Sequence, residues 1–272
     1  MHTYSIMEWF LFFYIYCFLG WCFESAYVSI KSKKFINRGF LKGPFLPIYG
    51  TGAITVLFVA LPFSGNIPGV FLVGALAATV LEYVTGVLME AVFKVRYWDY
   101  SNQKLNFQGQ VCASSTVVWG FLSIALIFGL HRGVEKVLSF LPAGMEKPMT
   151  LVLTVFIVAD VTLSFKDALE LRSILGKMEL LVEELKRIQK RLEQIEETIA
   201  ETAEQKKEQM KEQFKEELID IRAKQMYLTD KAKDRFSPYW TSLIKRNPTV
   251  KTRRYASVLT DIKERLLDKK DQ

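Results

Sequence analysis

Five apolar stretches, at 7–30, 46–63, 69–93, 112–131 and 149–168, fill most of the first 169 residues. Each is close to the ~20 residues that a helix needs to cross a hydrocarbon core. Backbone in lipid must satisfy its own hydrogen bonds, which leaves helices or a closed barrel. Stretches this long and this apolar predict an all-α fold: a polytopic membrane helix bundle of about five transmembrane helices.

Charge orients the bundle. The linker between the first two stretches holds Lys31, Lys33, Lys34, Arg38 and Lys42 and no acid, so the positive-inside rule places it in the cytoplasm. The short turn 64–68 then lies outside, and 94–110, with Lys94, Arg96 and Lys104 against Asp99, lies inside. The loop 132–148 is expected outside, part of it as a short amphipathic helix in the interface. An odd number of spans leaves the N-terminus outside and the last third of the chain in the cytoplasm. The first apolar run lacks a basic flank and a small-residue exit, so it is expected to stay as a helix and not to be cleaved as a signal peptide.

Composition changes sharply after residue 169. Up to that point the chain has 12 Lys and Arg and 9 Asp and Glu, out of 36 and 29 in all. The expected organisation is a transmembrane domain at 1–169, a cytoplasmic coiled coil or helical hairpin at 170–235, and a basic helical segment at 236–272. Met178, Leu181, Leu185, Ile188, Leu192, Ile195 and Ile199 alternate steps of three and four, the spacing of a coiled-coil seam. Beyond it, Met210, Phe214, Leu218 and Ile221 resume after a polar interval, which fits either a change of winding or a hairpin. The net charge of +7 is no nucleic-acid signature, because the basic residues sit beside the membrane or alternate with acids.

The stretch 82–120 concentrates the polar chemistry. Glu82, Gly86 and Glu90 are four apart and share one helix face, with the carboxylates about 12 Å apart along the axis. Gly86 between them leaves a notch for a second helix or a ligand. Arg96, Asp99 and Asn106 follow, interleaved with Tyr97, Trp98 and Tyr100, which are expected as interfacial aromatic residues. Glu24 lies at a similar depth on the first helix. Ionisable groups inside a membrane are costly and default to a functional reading. The expected site is an inner-leaflet pocket made by Glu24, Glu82, Glu90, Arg96 and Asp99, with Arg38, Tyr49 and Asn106 as further contacts. Helices one and three would pack together, and the two cytoplasmic linkers would close over them.

Two other features need partners. Gly39, Gly43, Pro44, Pro47, Gly50 and Gly52 do not suit a straight helix entry. They indicate either a re-entrant segment with Tyr49 at the pocket, or a helix start with Pro near its first position and a glycine packing face. Asp160 is mid-span in the fifth stretch and must meet a partner or water, whereas Lys166 and Asp167 would snorkel at its cytoplasmic end.

Three cysteines without CxxC spacing and two histidines predict neither a disulfide framework nor a metal centre. No cofactor is expected. No phosphate-binding GxxxxGK[ST] is present, so any ATPase would be a separate chain.

Gly20-Trp21 with Glu24, the run NRGFLKGPFLPIYGTG at 37–52, Glu82 with Gly86 and Glu90, Trp98-Asp99-Tyr100-Ser101, Asn106 with Gly109, and Trp119-Gly120 occur in this order. Together they resemble a bacterial membrane family known as type IV ABC-transporter permeases, or CmpB-like proteins. The resemblance spans about residues 5–130 and more loosely 243–266. It implies the membrane subunit of a transporter in the bacterial inner membrane, with a homo-oligomer or a second subunit to complete a pathway. The residues leave two further readings open. One is an intramembrane enzyme acting on a lipid or lipid-linked substrate, although no nucleophile–base pair is visible. The other is a membrane-anchored coiled-coil protein that recruits a partner.

Overall fold

Helices α1 (Ile6–Ser32), α2 (Pro47–Ala60) and α3 (Ile67–Phe93) follow one another as antiparallel neighbours, α1 on α2 and α2 on α3. The computed structural model describes residues 4–142 and 144–200, together with 219, 223, 251 and 252. After α3 come a small hairpin, β1 (Asn106–Phe107) and β2 (Val111–Cys112), then α4 (Ala113–Ala125), a π-helical turn (Leu126–Leu130), α5 (His131–Ser139) and the long α6 (Glu146–Ala200). The protein is a polytopic helix bundle, as its apolar pattern predicts. Its contacts divide the chain into two units, one of residues up to Leu169 with Lys251, the other starting at Glu170.

Among the described residues, four helices are long and apolar enough to cross a membrane: Ile6–Ser32, Ile67–Phe93, Ala113–Ser139 and Glu146–Lys177. The second stretch forms only the shorter apolar helix Pro47–Phe63, which ends in a 3₁₀ turn. The fourth does not stop at His131. A π-turn carries it without a break into α5, and His131 is buried. Tyr4, just before α1, and Tyr16 within it hydrogen-bond its two ring nitrogens, at 3.0 and 2.7 Å, which satisfies the imidazole inside the bundle.

The chain between α1 and α2 folds back along α1. Ser29, Ser25, Trp21 and Cys17 lie four apart on one face of α1. Ser29 accepts from the Ile36 N–H, Ser25 from the Arg38 N–H, and the Trp21 indole donates to Asn37. The Leu46 N–H then reaches the Cys17 carbonyl at 3.0 Å. Irregular backbone at this depth needs such partners. Cys17 is about 22 Å from the end of α1 at 1.5 Å per residue, so the segment re-enters the bundle alongside α1. Pro47 takes the first turn of α2, where its missing N–H costs nothing. Gly50 packs so closely on Phe13 and Cys17 that a Cβ would overlap them.

Asp160 of α6 secures the tip of this segment. Its carboxylate accepts the backbone N–H groups of Lys42 and Gly43, at 3.0 and 2.8 Å, and the Ser164 hydroxyl at 3.2 Å. Asp167 does not snorkel: it is buried and pairs with Lys42 at 2.9 Å, because the re-entrant segment brings that ammonium to α6. Phe40 closes the same contact against Phe93, Tyr97 and Phe165. In α6 the side chains of Met178, Leu181, Leu185, Leu192 and Ile199, like nearly all of 201–272, lie outside the described residues. The coiled-coil seam, the hairpin and the C-terminal helix therefore remain expectations of the sequence.

Candidate functional site

Helix α2 stands between α1 and α3, and this is where the packing departs from the expected pairing of helices one and three. Its first turn brings Tyr49 against Gly20 of α1, where a Cβ would lie 2.3 Å from the tyrosine ring. Only glycine at position 20 allows that approach. The Tyr49 hydroxyl donates to Glu24 at 2.8 Å, and the Arg38 guanidinium stands 3.9 Å from the other carboxylate oxygen.

Glu82 is the most enclosed of the acids, only 5 % exposed. Its two oxygens accept the Tyr100 hydroxyl and the Trp119 indole N–H, both at 3.0 Å. Both donors are neutral and come from outside α3. Among the described residues no cation is paired with Glu82. The Trp119 ring also lies 5.9 Å from that of Tyr49, so the Glu24 and Glu82 positions are joined through two aromatic side chains.

Two turns away, Glu90 meets the Arg96 guanidinium at 2.7 Å and the Gln110 amide at 2.7 Å. Arg96 is buried and also reaches Asp99 at 3.5 Å and the Gln108 carbonyl at 3.0 Å. The notch at Gly86 is filled by this loop, since the Gln110 amide and the Trp98 ring rest on it. Gly109 at φ 71° lets the hairpin turn tightly beneath Arg96 and Asp99. The loop 94–110 is thus folded onto α3. Tyr97, Trp98 and Tyr100 are engaged within the protein: Trp98 donates to the Gln110 carbonyl, Tyr100 to Glu82, and Tyr97 is buried.

Asn106 braces the loop. It donates to the Ser101 and Gln103 carbonyls and accepts from the Gly109 N–H. Asp99 accepts from Ser101 and, at 2.9 Å, from the Lys251 ammonium. Burial alone would raise the Asp99 pKa, but these hydrogen bonds and the lysine's charge hold it below the usual carboxylate range. Burial, and then the nearby Glu82 carboxylate, push the Tyr100 hydroxyl up. Arg96 and Lys251 also exchange backbone hydrogen bonds at 2.6 and 2.8 Å.

Glu24, Arg38, Tyr49 and Glu82 therefore form one group, joined through Trp119, and Glu90, Arg96 and Asp99 a second; the loop 94–110 supplies Tyr100 to the first and Arg96 and Asp99 to the second, with Asn106 bracing it. Sequence reasoning passed over Tyr100 and Trp119 as the donors to Glu82, Gln110 as the partner of Glu90, and Lys251. For Trp119 the signal was its place in the ordered motifs; for Lys251 there was none. Among the described residues no cluster could hold a metal ion.

The network lies inside a recognised family. A family model, "Putative ABC-transporter type IV" (CmpB), matches residues 11–165, more than half of the 272-residue chain. Comparison with curated proteins and with solved structures gives no significant match. The match takes in α1 to α4 and the bundle part of α6, the elements that carry the network and the re-entrant segment, and on that ground the chain belongs to the type IV, CmpB-like ABC-transporter family of membrane proteins.

Proposed function

We propose that the protein is a permease-like membrane component that binds and translocates a polar or charged solute through the network at the loop end of the bundle. The observation that carries this reading is Glu82, an enclosed carboxylate held by two neutral donors from separate elements. A residue serving only to neutralise a neighbour would be expected to face a cation, as Glu90 faces Arg96. In this reading Glu24, Glu82 and Glu90 contact the solute's cationic or donor groups, and Arg96 and Asp99 set the field around them. Tyr49 and Arg38 border the pathway, and Asn106 shapes the loop.

The basic linker 31–42 supports a cytoplasmic location for this end of the bundle, in a bacterial inner membrane with the C-terminal third on the same side. Few spans per chain favour a homo-oligomer, and the family supports a separate ATPase subunit as partner. The test is transport into vesicles containing the full chain with its copurified partners. Glu82→Gln is expected to abolish accumulation of the solute while insertion and folding persist. Unchanged transport in that variant would reject the reading.

A further inference from the structure

A half-open cavity of about 190 Å³ lies between α1, α2, α3 and α4 and shares Tyr49 and Trp119 with the polar network. It is somewhat larger than an apolar cavity of ~150 Å³ that holds a benzene ring. No charged side chain lines it. Its walls include Tyr16, Tyr49, Trp119, Ala53 and Ser123, and Phe23, which is exposed, stands at its rim.

The polar ends of the three large aromatic residues are all engaged elsewhere. The Tyr16 hydroxyl is on His131, the Tyr49 hydroxyl on Glu24 and the Trp119 N–H on Glu82. What these residues offer the cavity is therefore ring surface. Two of the rings are hydrogen-bonded at their edges to carboxylates, which adds negative potential to faces that already attract cations. Glu82, directly behind Trp119, has no paired cation among the described residues. An apolar chamber with aromatic walls and an acid behind them suits a cation that has no N–H groups to satisfy. Aromatic cages recognise quaternary ammonium groups in this way.

We propose that this cavity is a binding site for a small quaternary ammonium group, with Trp119 and Tyr49 as its π-faces and Glu82 as its counter-charge. The proposal concerns binding and does not require the protein to be a permease. Transport could fail with binding intact, and binding could fail with transport intact.

The experiment measures choline binding to the full chain in phosphatidylglycerol nanodiscs by calorimetry. The neutral isostere 3,3-dimethylbutanol, which replaces the ammonium nitrogen with carbon, is measured in parallel. Choline is expected to bind at least about tenfold more tightly than the isostere. Glu82→Gln should weaken choline about tenfold and leave the isostere unchanged, which also shows that the variant is folded. Ala53→Phe, which fills the chamber, should remove both. Adding phosphatidylcholine separates the sources: competition with choline identifies a lipid headgroup as the natural ligand, and its absence a free solute. Equal binding of choline and isostere would mark a neutral hydrocarbon slot and overturn the proposal. So would no choline binding, or an unchanged affinity in Glu82→Gln.

Discussion

Gly20 and Gly86 show how single residues set the network's geometry. A methyl group on either would meet Tyr49 or Gln110 at 2.3 Å. Overpacking of this kind costs about 1–3 kcal/mol. Gly20→Ala is expected to lower the unfolding midpoint of the detergent-solubilised protein and to separate Tyr49 from Glu24. Arg96 matters for a different reason. It is buried between Glu90 and Asp99, and removing one partner of a buried pair leaves uncompensated charge, at about 3–5 kcal/mol. Arg96→Ala should be strongly destabilising by the same measurement, and Arg96→Lys should recover only part of the loss because one ammonium cannot serve Glu90, Asp99 and the Gln108 carbonyl together. Asp99 adds a pH dependence. Its folded pKa is depressed, so its contribution is complete above the ordinary aspartate value near pH 4 and is lost as pH falls further toward the depressed value. The gap in unfolding midpoint between wild type and Asp99→Asn should accordingly narrow below about pH 4.

At the scale of elements, the re-entrant segment is the decisive piece. It begins α2 midway along α1 and so places Tyr49 beside Glu24. Its tip is held by α6, where Asp160 accepts two of its backbone N–H groups and Asp167 pairs with Lys42. Hydrogen bonds to a charged group contribute about 1.5–3 kcal/mol each. Asp160→Asn keeps the size of the side chain and loses the charge, and limited proteolysis at Lys42 should become faster in that variant. An unchanged cleavage rate would mean that the Lys42–Asp167 pair and the Phe40 contacts suffice to hold the tip. The glycine- and proline-rich entry left two readings open, a re-entrant segment and a helix start with a glycine packing face. The mate of Asp160 was not readable, since a backbone N–H carries no mark in the sequence.

For the molecule as a whole, the proposed orientation in the membrane rests on charge, and cysteine labelling tests it. In a background without Cys17, Cys22 and Cys112, a cysteine at Lys34 should react only from the cytoplasmic side and one at Gly65 only from outside. Gly65 lies on the turn after α2, in open space. The chain also returns to the network from far along its length, with Lys251 pairing with Arg96 through the backbone. In hydrogen exchange, the Arg96 N–H should be protected in the full chain and exchange faster when the chain is truncated after residue 250. Lys251→Ala should have little effect on that N–H, because the exposed ammonium adds only a surface ion pair.

Local pattern alone determined the helical class, the positions of the apolar helices and the acids that would be costly to bury. Those properties depend on periodicity and transfer energy within about twenty residues. The tertiary structure decided which neutral groups hold Glu82, that α2 stands between α1 and α3, and that the fourth helix runs on past His131. It also decided the approach of Lys251 to Asp99. Each of these joins residues distant in the chain, as Glu82 and Trp119 are 37 positions apart, and packing, not local preference, selects among the partners a buried polar group can take.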